Sequence, residues 1–177
     1  MDFDMAIEQS IDGIVTDLQD ALRGRILSDP WFSGIDIFTP DDMSADGLNK
    51  VPADIEQRIT QTLSSVKGLC IVIALPAYGS VSPDSPGIYS DDVPILVRVI
   101  ENPQMNRSSR GLKKPAGTVA TRIMRRLHHF TYRDCVIVVK SAKRIPDENA
   151  LIWDVISQTA LNLPPLEVQS PETGDPA

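Results

Sequence analysis

A chain of 177 residues, 42% of them hydrophobic and 23% charged, has the size and make-up of one ordinary globular domain. A net charge of −7 argues against a simple nucleic-acid binder, and no apolar run approaches the ~18–20 residues needed to span a membrane. The acidic opening Met1-Asp2-Phe3-Asp4 lacks the basic-then-apolar layout of a secretory signal, and with 5% aromatics the core must come from Ile, Val, Leu and Ala.

Along the chain, Ile7, Ile11, Ile14, Val15, Leu18, Leu22 and Ile26 recur at steps of three and four. That spacing predicts an amphipathic helix with Asp12, Asp17, Asp20 and Arg23 toward water. Asp2 or Asp4 can cap its start, and Asp29-Pro30 stops it. Trp31-Phe32 then reads as a core or subunit anchor. Gly34 to Thr39 alternates as a short strand. An acidic loop (Asp41, Asp42, Asp46) leads to a second helix near Pro52, with Ile55, Ile59 and Leu63 on one side.

Leu69 to Leu75, bounded by Gly68 and Pro76, is apolar throughout and too short for a typical helix, so it predicts a buried strand. The Pro-, Gly- and Ser-rich stretch 76–92 predicts a loop. Within it, Asp91 and Asp92 are turn residues before Val93-Pro94 rather than metal ligands. Val93 to Glu101 is a second strand, expected to pair with the first as a hairpin. Asn102 to Pro115 is a further loop in which Arg107 can return to Glu101 and clamp the base.

Pro115 suits the first turn of a helix running to about Phe130. Ala116, Val119, Ala120, Ile123, Leu127 and Phe130 line its apolar side, with Arg122, Arg125, Arg126 and His129 opposite. His128 and His129, adjacent on that helix, would point in different directions and cannot grip a metal as an i, i+4 pair. Cys135 to Val139 is expected as another buried strand and Leu151 to Thr159 as the last. Residues 1–162 thus form one domain, and the acidic, proline-rich tail 163–177 is expected to be disordered. Cys70 and Cys135 both lie in apolar runs and read as buried free thiols of a reducing compartment.

The resulting order, α-β-α-β-β-α-β-β, lacks strict βαβ alternation and predicts an α+β fold with a mixed, largely antiparallel sheet. Several strands are apolar on both faces while only three helices are expected. Either the helices cover both faces, or part of the sheet is buried against another subunit.

Charge is segregated along the chain. Between Arg98 and Arg144 lie 12 of the 17 Lys and Arg with only Glu101 and Asp134 as acids, a local +10 against −17 for the remainder. Arg107, Arg110, Lys113, Lys114, Arg122, Arg125 and Arg126 are the candidate interface or lumen residues, suited to phosphates or to a neighbour's carboxylates. No nucleotide loop, nucleophile elbow, metal-binding spacing or other catalytic constellation is recognisable, so no cofactor, metal or catalytic residue is expected.

Three stretches resemble a known family. Leu27-Ser28-Asp29-Pro30-Trp31-Phe32 with Ile35-Asp36-Ile37-Phe38 is one. Val99-Ile100-Glu101-Asn102-Pro103 followed by Asn106-Arg107 is the second, and Leu127-His128-His129-Phe130 is the third. Together they resemble the Mu-like phage protein family of the gp37 type over residues 5–160. The element order is also similar to tail terminator proteins of long-tailed phages, small α+β subunits that form a hexameric ring at the head-proximal end of the tail tube. The resemblance implies a structural protein of the virion tail, assembled in the bacterial host cytoplasm. Its partners would be copies of itself, the tail tube protein and a head–tail connector, with DNA passing through the channel unread and no membrane involved. The alternative expectation is a DNA-binding or DNA-processing domain using the basic segment 98–144. On the polar-side reading of the Arg-rich helix, Arg122→Glu with Arg125→Glu impairs assembly and leaves the fold intact.

Overall fold

A computed structural model of the chain describes residues 11–39, 53–75 and 88–163. The expected caps Asp2 and Asp4, the stripe residue Ile7, the acidic loop at 41–46, loop residues 76–87 and the tail from Pro164 lie outside the described residues. The fold is α+β. Helix α1 spans Ile11–Leu27 and is followed by a single 3-10 turn, Pro30–Phe32, that Asp29 caps through the N–H of Trp31. Strand β1 (Asp36–Phe38), helix α2 (Ala53–Ser64) and strand β2 (Leu69–Ala74) come next. Strand β3 (Ile88–Glu101), a short helix α3 (Pro103–Asn106) and helix α4 (Ala116–Leu127) follow. The last elements are a small hairpin, β4 (Thr131–Tyr132) with β5 (Cys135–Val136), and the strands β6 (Val138–Ile145) and β7 (Leu151–Leu163).

Five strands form one sheet in the order β1-β2-β3-β7-β6, with β1 and β2 parallel and every other pair antiparallel. Alternation along the strands divides the apolar residues between the two faces. Ile71, Ile73, Ile95, Val97, Val99 and Val155 lie on one face, buried against Leu18, Leu22 and Ile26 of α1 and Val119, Ile123 and Leu127 of α4. On the other face, Phe38, Cys70 and Val72 are buried with Ile55 of α2, and Ile59, Leu63 and Ile100 pack around them. Helices therefore lie on both faces, but α2 covers only the β1–β2 side of the second.

Three expectations are corrected. Residues 88–92, expected in a loop, extend β3, because β7 runs on to Leu163 and gives them a partner; a register shift between Ser90 and Val93 absorbs the irregular sequence. Pro94 is tolerated mid-strand because β2 reaches only as far as Leu96 along β3, leaving one edge there without a partner among the described residues. The apolar run 135–139 is not one buried strand. Val136 is exposed, Cys135 and Val139 pack part-buried against the core, and only Ile137 is fully buried, bonded through its backbone to His129 and Phe130. Finally, α4 ends at Leu127, His129 adopts φ +60°, and the two histidine rings meet edge-on with centroids 4.1 Å apart. The chain must turn sharply there to start the β4–β5 hairpin, so helical divergence of the two rings does not apply.

The cysteines differ in accessibility. Cys70 is buried under α2, and desolvation pushes its thiol up to about 12, whereas Cys135 is only half-buried, with burial again the main cause of a raised pKa. A small alkylating reagent is expected to modify Cys135 in the native protein and Cys70 only after denaturation. Peptide mapping that found both labelled at one rate would contradict this packing.

Candidate interaction surface

Glu101 ends β3 with its side chain fully buried. Its Oε1 accepts from Nδ2 of Asn106 at 2.8 Å and Nε of Arg107 at 2.9 Å, and its Oε2 accepts from the backbone N–H of Ala116 at 2.8 Å. Ala116 opens α4, so the carboxylate sits at the positive end of that helix and satisfies a donor that Pro115, as N-cap, cannot. Asn102 caps α3 by accepting from the N–H of Gln104, and its own amide donates to the carbonyl of Leu63 at 3.1 Å. Asn106, also buried, donates to the carbonyl of Lys114 at 3.0 Å, and its own carbonyl accepts from the N–H of Lys113 at 2.9 Å. The Glu101–Arg107 pairing read from the loop is therefore one arm of a larger knot tying β3, α3 and α4 together. With donors on both oxygens, Glu101 acts as a structural acceptor.

The remaining candidate cations divide into two groups. Lys114 donates from Nζ to the carbonyl of Ser33 at 2.7 Å and lies 5.2 Å from the Trp31 ring centroid; desolvation lowers its pKa. Arg122 pairs with Asp29 at 3.2 Å and lies 4.5 Å from the same ring. Trp31 is thus a half-buried platform for two cations, edge-on to Phe32, which is itself in the core. Arg126 donates to the Ser28 hydroxyl and to the carbonyl of Arg25, while Arg25 donates back to the carbonyl of Arg126 at 3.1 Å. Each helix thereby satisfies a C-terminal carbonyl of the other. By contrast, the side chains of Arg110, Lys113 and Arg125 make no hydrogen bond or ion pair among the described residues, and all three are exposed.

The polar side of α4 is therefore largely committed within the chain. The negative end of α1, with Asp29 just beyond it, draws Arg122 and Arg126 inward. The double variant at Arg122 and Arg125 would disturb this packing as well as any assembly, so Arg125→Glu alone is the cleaner probe of that face.

The N–H of Trp31 above all, with Arg122 beside it, holds the Asp29 carboxyl below its usual range. A lowered carboxylate pKa contributes stability that is present above the unfolded value near 3.8 and is lost as pH falls through the folded value. Acidification below about pH 3.8 is expected to loosen the Pro30–Phe32 turn and shift Trp31 fluorescence in a Trp153→Phe background. An Asp29→Asn variant should lack that acid transition; an identical transition in both proteins would remove Asp29 as its source.

Two features carry less signal in the sequence. Arg98, set between apolar neighbours, and Asp154, the sole charge of β7, form a two-pronged ion pair at 2.8 Å and 2.8 Å on the second face of the sheet. Around it Leu96, Ile152 and Ile145 are half-buried and Ile156 is 37% exposed, and no described helix covers them. Comparison with known protein families finds no match for this chain, and comparison with curated proteins finds none either. Among the described residues, no helix is long and apolar enough to cross a membrane, and no three His, Cys, Asp or Glu side chains gather as a metal site.

Proposed function

We propose that this chain is a structural subunit that associates with copies of itself into a closed ring and completes the tail of a long-tailed phage. The observation that carries this reading is the half of the second sheet face, over β3, β7 and β6, that no described helix covers. It presents apolar residues around an Arg98–Asp154 pair whose Asp154 side chain is only 8% exposed, so the charges are already satisfied before a partner arrives. Arg98 and Asp154 can be buried in an interface without stranding a charge, while Lys143, level with Asp154 on β6 and without a partner among the described residues, calls for a carboxylate from the neighbouring copy. The segregated charge adds a means of orienting one copy against the next. In the ring reading the subunit caps the tail tube, meets the tube protein and a head–tail connector, and lets DNA pass through its channel unread; it performs no chemistry of its own. Native mass spectrometry and negative-stain imaging at micromolar concentration are expected to show rings, with a hexamer as the expected size. A strict monomer, including in the presence of tail-tube protein, would overturn the reading.

One observation favours the second reading, a DNA-binding domain. Arg110, Lys113, Arg125, Lys140, Lys143 and Arg144 are all exposed, and their side chains have no partner among the described residues. A mobility-shift titration should then show affinity falling steeply with added salt. Absence of binding at low salt would end that alternative.

A further inference from the structure

The two outer strands of the sheet carry complementary features. Along the edge of β1 that no described strand pairs with runs an open groove of about 290 Å³ between α1 and α2, walled by Arg23 and Leu27 on one helix and Arg58 and Thr62 on the other. Asp36 on its floor is already matched by Lys67 at 2.6 Å and Thr62 at 3.1 Å, so among the described residues the groove's unspent charge is positive. Arg58 lies over the Phe38 ring at 5.0 Å, and the Arg23 side chain has no partner among the described residues. At the opposite edge, the turn joining β6 to β7 carries Asp147 and Glu148, both exposed. Asp147 accepts from the N–H groups of Asn149 and Ala150, each at 2.8 Å, which sets the turn's shape, while Glu148 has no partner among the described residues.

The strand register places both features at the same end of the sheet. Asp36 is level with Cys70, Cys70 with Ile100, Ile100 with Ile152, and Ile152 with Ile145 at the foot of the acidic turn. Four strand spacings, about 19 Å, separate the two edges. We propose that the β1 groove of one copy receives the Asp147–Glu148 turn of the next, with Arg23 and Arg58 meeting its carboxylates and the exposed Leu27 covered by the contact. A groove on one edge and a knob on the other make a head-to-tail contact, repeated with the same rotation from copy to copy. This inference rests on the self-association proposed above and assigns one of its contacts.

Charge reversal tests it. Arg23→Glu with Arg58→Glu reverses the groove, and Glu148→Lys with Asn149→Lys reverses the turn without touching Asp147. Each pair is expected to raise the concentration needed for assembly at least tenfold, with unchanged circular dichroism and melting. The chain carrying all four changes should assemble again. Wild-type rings that persist in both paired variants would overturn this contact and leave the ring reading standing. Loss of assembly in both pairs without recovery in the fourfold variant would overturn the pairing of these two sites. A wild-type monomer would remove both the contact and the ring.

Discussion

Glu101→Gln is expected to destabilise the protein by about 2–4 kcal/mol, although the two side chains have nearly the same shape. All three groups bonded to Glu101 are donors: the Asn106 amide, the Arg107 guanidinium and the Ala116 N–H. A carboxylate meets them as an acceptor on both oxygens, whereas a carboxamide must turn its NH₂ toward at least one of them. Rotating the amide moves the conflict from one oxygen position to the other and does not remove it. The burial of the site leaves no room for the donors to seek solvent, except at Arg107, whose side chain is 52% exposed. Arg107→Ala should accordingly cost only a small part of what Glu101→Gln does, because water screens that arm and can replace it. Urea denaturation with an unchanged m-value is the measurement. A Glu101→Gln midpoint equal to the parent's would show that these three bonds are not what holds α3 and α4 to the end of β3.

Gly68→Ala is expected to be similarly damaging for a different reason. Gly68 has φ +58°, a conformation that costs an L-residue about 1–2 kcal/mol. An added Cβ would also collide with the backbone nitrogen of Asn106, stand 2.7 Å from Cβ of Met105 and 3.0 Å from the carbonyl of Asn102. Two of these atoms are main chain and are held by the Glu101 knot, so they cannot yield cheaply. Overpacking of this kind adds about 1–3 kcal/mol, for a total near 3 kcal/mol or more. Gly24→Ala supplies the control. It lies in α1 with nothing within 4 Å of an added Cβ, and the change should stabilise by about 0.5–1 kcal/mol. Equal effects of the two substitutions would contradict the crowding at Gly68.

Periodicity made the main elements legible. The three- and four-residue steps of α1, α2 and α4 and the apolar runs of β2 and β3 each state their own structure, because burial imposes a repeat on the residues concerned. The Glu101–Arg107 contact was also legible, being local and set by a proline turn. What stayed hidden depends on partners far along the chain. Residues 88–92 look like a loop until β7 lies beside them, and Arg98 looks like a stray charge until Asp154 is placed across from it. The engagement of Arg122 by Asp29 and of Arg126 by Ser28 joins residues more than ninety positions apart. A helical wheel gives the side on which these arginines stand but cannot say that the end of another helix occupies it. The buried role of Asn106, by contrast, had a faint local sign in the spacing Glu101-Asn102-Pro103 to Asn106-Arg107.

The position of β7 in the sheet has a consequence for how the protein is made. It follows every other described strand in sequence, yet it lies inside the sheet, bonded to β3 on one side and β6 on the other. A ribosome delivers β3 long before the strand that will cover its edge, and β6 emerges with no neighbour to join. The sheet therefore cannot be finished strand by strand during translation; its halves must wait for the thirteen residues of β7 to appear. Until then the nascent chain offers an apolar strand with unpaired backbone, a natural target for a holding chaperone. A chain cut short within β7 would not lose an appendage. It would lose the seam that joins the two halves.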